Sequence, residues 1–321
     1  MEAEEPFVAP SEEKRLSKTL ISVLVVLGVS VSWTSASQFT KLALHDEFKA
    51  PYFIVWFNTN LMMLCYPFYL VVSCRKSWKT IRQETFDCDR TLLEWLWVTV
   101  TLLTLWTMAN VLFSVSLGRI SASASTSLIS CNVFVVFLLS KCFLDERYTV
   151  TKSISTVLGV IGVIVICCDK EFAGDVVGVV SVMLAAFSSA MYKVVFKKIV
   201  GQAGLGQVSL LMSLLGALNL LLNVIPITLL WYVDVEVITL HNIPWFYLIG
   251  SAVLSLTYNF VVNLSIALIT PLFVSIGALL GIPLNMIVDI LMNNMVVSPT
   301  FLVGSILITV SVAINLNYRK K

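Results

Sequence analysis

Residues 207–231 read QVSLLMSLLGALNLLLNVIPITLLW, a run of 25 residues that contains no charged side chain. An α-helix rises about 1.5 Å per residue, so about 20 apolar residues cross the hydrocarbon core of a bilayer. This stretch therefore predicts a membrane-spanning helix. Other parts of the chain repeat the same pattern.

The composition agrees with a membrane protein. Of the 321 residues, 58% are hydrophobic and 12% are charged, and the mean hydropathy is +0.92. Soluble domains carry about 25% charged residues, which nearly excludes a soluble enzyme. The net charge of +2 gives no overall field for binding nucleic acid, so no nucleic-acid partner is expected.

Ten apolar runs have the length of a membrane crossing, and helices are the way such runs satisfy their backbone in lipid. The sequence therefore predicts an all-α membrane protein with ten transmembrane helices. The predicted spans are 19–40, 51–73, 93–116, 121–140, 150–168, 176–196, 207–231, 243–266, 270–291 and 299–317.

The basic residues predict the orientation of these spans. With both termini in the cytosol, 17 of the 21 Lys and Arg residues fall on the cytosolic side. The exceptions are Lys41, Lys49, Arg119 and Lys170. Such a bias follows the positive-inside rule, and a miscounted span would scramble it.

Two halves of five spans suggest an internal repeat. Residues 1–18 form a cytosolic tail, 19–168 the first repeat, 176–317 the second, and 318–321 the cytosolic C-terminus. Gly159 in span 5 and Gly304 in span 10 correspond at an offset of 145 residues. Because five is odd, the second repeat enters the membrane from the opposite side. Many transporters have such inverted repeats, with a substrate site near the bilayer midplane.

Polar or aromatic residues recur at i,i+4 in five spans and should form stripes that avoid lipid. Lining a polar cavity is our interpretation of the set, although a single Asn commonly bridges two helices instead. The predicted substrate-binding residues are Trp56, Asn60, Trp106, Asn110, Asn132, Tyr192, Lys193, Asn259, Asn263, Asn285 and Asp289.

Two charges inside spans are candidates for function. Asp289 is the only acid well inside a predicted span, and a carboxylate at that depth is costly unless paired, protonated or hydrated. The alternative places Asp289 in interfacial water at the outer end of span 9. Lys193 is the matching base, with the alternative that its ammonium snorkels to the cytosolic surface near Lys197 and Lys198.

No enzyme, metal or cofactor site is predicted. The chain has no HExxH, GxSxG or Walker sequence, and its seven cysteines form no CxxC or Cys/His cluster. Without an ATP site, a transporter of this kind would be driven by a gradient, by exchange or by protons.

Five motifs resemble one family: WFNTN (56–60), LWTMAN (105–110), SSAMYKVVFKK (188–198), NIPW (242–245) and GIPLNMIVD (281–289). Together they are similar to solute carrier family 35, subfamily F, in its thiamine-transporter-like branch within the drug/metabolite transporter superfamily. The resemblance implies a ten-helix inverted-repeat fold and solute-carrier activity, and suggests thiamine as the substrate. Superfamily relatives carry nucleotide sugars, so the fold alone does not determine the substrate.

The resulting functional hypothesis is a multi-pass carrier that moves a small organic solute by alternating access. A nucleotide-sugar exchanger is the first alternative, and a non-transporting membrane scaffold or receptor is the second. The expected location is the plasma membrane or the Golgi and other endomembranes, with both termini cytosolic. The expected partners are the solute and the lipid bilayer, and a homodimer is left open.

Overall fold

The computed structural model describes residues 12–44, 48–86, 92–120, 122–144, 149–167, 175–236, 238, 241, 243–293 and 298–318. Within these ranges the regular structure consists of fifteen α-helices and one 3₁₀ helix. In chain order they are α1 (Glu12–Ala43), α2 (Pro51–Asn60), the 3₁₀ helix (Leu61–Leu64), α3 (Cys65–Val72), α4 (Trp78–Phe86), α5 (Leu92–Leu117), α6 (Ala122–Ile129), α7 (Asn132–Leu144), α8 (Val150–Cys167), α9 (Val176–Val200), α10 (Leu205–Leu222), α11 (Val224–Tyr232), α12 (Trp245–Leu268), α13 (Pro271–Ala278), α14 (Gly281–Asn293) and α15 (Pro299–Tyr318).

The predicted class, an all-α membrane protein, is confirmed. All ten predicted spans coincide with helical segments, and within the described ranges eight stretches are long and apolar enough to cross a membrane. The other two, Val150–Ile166 in α8 and Pro299–Ile314 in α15, are shorter apolar helices. At about 1.5 Å per residue they span roughly 25 Å, slightly less than a typical hydrocarbon core of about 30 Å.

Proline explains the 3₁₀ helix between α2 and α3. The ring of Pro67 prevents the carbonyl of Met63, four residues earlier, from accepting a helical hydrogen bond. In the structure the Ser213 hydroxyl of α10 donates to this carbonyl over 2.9 Å and accepts from the Tyr66 N–H over 2.8 Å. The break in the helix therefore provides a polar contact between α10 and the α2–α3 segment.

The segment α13–α14 is broken in the same way. Pro283 lies four residues after Leu279, and the helix is interrupted at 279–280. The glycines of the GxxxG motif, Gly277 and Gly281, let α1 approach closely: a Cβ on Gly277 would lie 2.8 Å from Val26. Nearby, the Ser30 and Thr34 hydroxyls of α1 donate to the carbonyls of these two glycines over 3.2 and 3.3 Å.

A second glycine contact joins α8 to α15. A Cβ on Gly304 would lie 2.6 Å from the carbonyl oxygen of Gly162 and 2.4 Å from the Ile166 side chain. About two turns along the same interface, the Ser155 hydroxyl donates to the Ser311 carbonyl over 2.9 Å. The Ser311 hydroxyl donates to the Ser155 carbonyl over 2.7 Å. Small residues therefore set the close packing of these two helices.

The connection after α11 is hydrogen-bonded to the start of α2. The Glu236 carboxylate is 3% exposed and accepts hydrogen bonds from the backbone N–H groups of Tyr52 and Phe53. Burial raises the pKa of this carboxyl to about 7, and the two N–H donors oppose the rise. The carboxylate thus takes the place of a side-chain N-cap, which Ala50 does not supply.

Candidate functional site

The candidate site is a narrow cavity inside the bundle, with a volume of about 50 Å³ accessible to the centres of water-sized molecules. Helices α1, α5, α6, α7, α9, α12 and α13 all contribute to its wall. Its lining residues are Trp33, Trp106, Ala109, Asn110, Phe113, Ile129, Ser130, Asn132, Ser189, Tyr192, Lys193, Tyr258, Asn259, Val262, Ser275 and Ala278.

Lys193 provides the charge of this cavity. Its side chain is 4% exposed, and its Nζ donates to the Ser275 hydroxyl of α13 over 3.0 Å. Among the described residues that line the cavity there is no aspartate or glutamate. One turn later, the Lys197 Nζ instead donates to the carbonyls of Gly201 and Ala267, over 3.1 and 2.7 Å. Lys193 therefore points into the bundle, where its ammonium can pair with a negatively charged ligand.

Aromatic side chains form much of the remaining wall. Trp33 lies next to Phe113 and Tyr258, and its ring centroid is 4.8 Å from each of theirs in a tilted arrangement. Trp106 meets Tyr192 edge-on at 5.3 Å, and its indole N–H donates to the Thr59 hydroxyl over 3.1 Å. Such fixed ring faces are suited to stacking against a planar ligand.

Amide groups supply hydrogen-bonding capacity. Asn110 donates to the Trp106 carbonyl over 2.8 Å, and Asn132 begins α7 directly after the break in span 4. The Asn259 Oδ1 atom is buried and has no hydrogen-bond partner among the described residues. Behind the wall, the Asn263 Oδ1 accepts from the Tyr192 hydroxyl over 2.9 Å and so orients that ring.

A second cavity adjoins the first. Its lining includes Ser37, Thr40, Asn58 and Ser255, and it has a volume of about 40 Å³ accessible to the centres of water-sized molecules. The residues that line both cavities are Trp33, Trp106, Asn110, Phe113 and Asn259. Ser114 lines the second cavity and also an open surface cleft lined by Lys49 and Arg119.

Six of the eleven predicted binding residues line the central cavity: Trp106, Asn110, Asn132, Tyr192, Lys193 and Asn259. Asn263 lies directly behind it. The structure places Trp56 and Asn60 elsewhere, facing α10, where the Asn219 amide donates to the Trp56 carbonyl over 3.0 Å and to the Asn60 Oδ1 over 2.7 Å.

The two remaining predicted residues are in α14. Asn285 is fully buried, accepts from the Gln38 amide and donates to the Thr126 hydroxyl, each over 3.1 Å. This is the helix-bridging arrangement that we considered as the alternative for a single Asn. The backbone of Asp289 lies in α14, and its side chain is outside the described residues.

The sequence did not single out Trp33, Phe113, Tyr258 and Ser275 as site residues. A signal for Trp33 exists in α1, where Ser30, Thr34 and Ser37 form a polar stripe that packs inside the bundle. Ser275 gave no such signal, because its importance comes only from the position of the Lys193 ammonium.

Cysteine scanning can test which amides line the cavity. In a background with the native cysteines replaced by alanine, we expect Asn110→Cys and Asn259→Cys to react with a small polar thiol reagent, because both positions line the cavity. Asn285→Cys should be protected, since Asn285 is fully buried between α1 and α6. Equal labelling of all three would contradict the cavity assignment.

Comparisons with known proteins agree with this geometry. The profile of the EamA-like transporter family matches residues 20–168. The solute carrier family 35 member F3 of Homo sapiens is 34% identical over 287 residues, which cover 86% of this chain and 68% of the relative. The member F4 of Mus musculus is 30% identical over 305 residues, covering 91% and 62%.

The fold is also found among solved structures. One crystal structure aligns with a TM-score of 0.62 at 12% identity, covering 95% of this chain and 99% of the other. Apolar spanning helices, a central polar cavity and the matched profile define a membrane solute transporter. The chain belongs to solute carrier family 35, subfamily F, in the drug/metabolite transporter superfamily.

Proposed function

We propose that this protein is a secondary carrier that moves a small organic solute by alternating access between two inverted five-helix halves, 19–168 and 176–317. The observation that carries the proposal is the central cavity, because both halves contribute to its wall. Trp33, Trp106 and Asn132 come from the first half, and Lys193 and Asn259 come from the second.

Helix packing supports the inverted repeat. Under a two-fold relation that exchanges the halves, a contact between spans 1 and 8 implies one between spans 6 and 3. Both occur, as α1 with α12 and α9 with α5. Span 5 should meet its own counterpart, span 10, and α8 packs on α15. The breaks also correspond, since span 4 is interrupted at 130–131 and span 9 at 279–280.

Thiamine is the cargo that the resemblance to subfamily F suggests. Its two aromatic rings fit the stacking faces of Trp33 and Trp106 in the cavity. Its positive charge would need a carboxylate, and Asp289 is the residue we propose for that role. Cation–π contact with the tryptophans would add to the attraction.

A nucleotide sugar is the second candidate, and the position of Lys193 favours it. Phosphate groups need basic partners, and Lys193 contributes a buried ammonium to a wall in which the described residues include no acid.

Reconstitution tests the proposal directly. The purified protein in liposomes should take up labelled thiamine or a labelled nucleotide sugar above the level of protein-free liposomes, and excess unlabelled solute should compete. Absence of saturable uptake or exchange of either solute would favour the scaffold or receptor alternative.

Orientation has its own test. We expect both termini to face the cytosol in the plasma membrane or an endomembrane, because 17 of the 21 basic residues then lie on that side. A tag at either end should be inaccessible to antibody in intact cells or sealed, cytosol-side-in vesicles, and accessible after permeabilisation. Labelling of one terminus in sealed samples would contradict an even number of spans.

A further inference from the structure

One buried side chain in the cavity wall has no explanation in the folding of the protein. Asn259 is 3% exposed, and no described residue hydrogen-bonds its Oδ1 atom. A buried polar atom without a partner is costly, and an apolar side chain of the same size would avoid that cost. The fully buried Asn285 shows the contrast, because both ends of its amide are bonded to Gln38 and Thr126.

The surroundings of Asn259 indicate what kind of group would satisfy it. Asn259 lines both adjoining cavities and follows Tyr258, whose ring packs on Trp33 with 4.8 Å between centroids. Trp33 and Trp106 also line both cavities. An acceptor next to aromatic faces is complementary to a planar ring that carries an N–H donor at its edge.

We propose that Asn259 is the specificity-determining residue for a planar heteroaromatic ring, whose edge N–H donates to the Asn259 amide while the ring stacks against Trp33. This inference rests on the proposed carrier function and deepens it. The aminopyrimidine of thiamine and the base of a nucleotide share this edge chemistry, so the inference does not depend on the charge of the cargo.

The first test measures thermal unfolding of the purified full-length protein. Asn259→Leu removes an amide whose Oδ1 has no partner among the described residues and keeps the same branched skeleton of non-hydrogen atoms, so its Tm should equal or exceed that of the wild type. Asn285→Leu removes two satisfied buried hydrogen bonds and should lower the Tm. A fall with Asn259→Leu as large as that with Asn285→Leu would overturn the proposal, because the amide would then be structural.

The second test uses two matched ligands, 2-pyridone and N-methyl-2-pyridone, which differ in the ring N–H. At millimolar concentration 2-pyridone should raise the Tm of the wild type more than its N-methyl derivative does, and Asn259→Leu should abolish that difference. A wild type that responds equally to both compounds, or to neither, would overturn the proposal, as would an Asn259→Leu variant that still prefers 2-pyridone.

Uptake into liposomes then separates this inference from the proposed function. With Asn259→Leu, uptake of thiamine or of a labelled nucleotide sugar, whichever the wild type carries, should fall about tenfold. Undiminished uptake would overturn the role of Asn259. If the wild type carries neither solute but still discriminates between the two pyridones, the carrier function fails and the ring site stands.

Discussion

Lys193→Gln should reduce liposome uptake of a phosphate-bearing solute at least tenfold. The Lys193 ammonium lies at the cavity wall with Ser275 as its hydrogen-bond partner, and a charge-assisted hydrogen bond to phosphate contributes about 1.5–3 kcal/mol, which corresponds to tenfold or more in affinity. Folding should be retained, because Lys193 has no ionic partner among the described residues and neutralising a buried, unpaired charge removes a desolvation cost. Uptake of labelled nucleotide sugar and the Tm of the purified variant measure the two effects.

Lys198→Gln is the matched control for this substitution. It makes the same chemical change on the same helix, at an exposed position where the ammonium lies 5.1 Å from the Phe143 ring centroid. Uptake by this variant should stay close to wild type. A uniform loss in both variants would point to a general requirement for positive charge on α9.

Asp289→Asn tests the opposite assignment, in which the cargo is a cation or a proton drives transport. If the cargo is a cation such as thiamine, or if a proton drives transport, Asp289→Asn should abolish uptake while Lys193→Gln has a mild effect. The positions favour the loss of uptake with Lys193→Gln, because Asp289 follows Ser275, the hydrogen-bond partner of Lys193, by 14 residues and lies beyond the helix break at 279–280. Full activity of Lys193→Gln beside an inactive Asp289→Asn would establish the cation alternative.

Gly304→Val should prevent correct folding or lower the Tm strongly. Even the first added carbon would lie 2.6 Å from the Gly162 carbonyl oxygen and 2.4 Å from Ile166, so α15 would have to move away from α8. Overpacking of this kind costs about 1–3 kcal/mol or more. Yield of monodisperse protein after detergent extraction and the Tm of that fraction are the measurements.

Gly28→Val is the control for helix propensity. Gly28 also lies within a helix, α1, but a Cβ there would meet no atom within 4 Å. Because both variants replace glycine by valine in a helix, the difference between them isolates the steric contact at the α8–α15 interface. Similar Tm values for the two variants would contradict the close approach.

The sequence was sufficient to predict an all-α membrane protein, since the length and polarity of the apolar runs are local properties. The stripes of Trp106 with Asn110 and of Ser189 with Lys193 likewise follow from helical spacing, and these residues line the cavity. Helical spacing could not tell which neighbour a stripe faces. Trp56 and Asn60 form an equally regular pair, yet the Asn219 amide of α10 donates to the Trp56 carbonyl and to the Asn60 Oδ1.

The residues that the sequence missed depend on contacts between distant segments. Trp33 belongs to the site because the glycines of α13–α14 admit α1, and a Cβ on Gly281 would lie 3.1 Å from its ring. Ser275 belongs because a lysine 82 positions away reaches it. Neither contact produces a periodic pattern within one helix, so helix propensity and residue spacing cannot predict it.

The pairing of α8 with α15 also bears on how the protein is made. Ser155 and Ser311 are 156 residues apart, and four other predicted spans lie between α8 and α15. Ribosomes deliver the helices to the membrane in order, so this contact of α8 can form only after α15 has been inserted. Nascent chains that still lack α15 therefore present the small-residue surface of α8 to the quality-control machinery of the membrane.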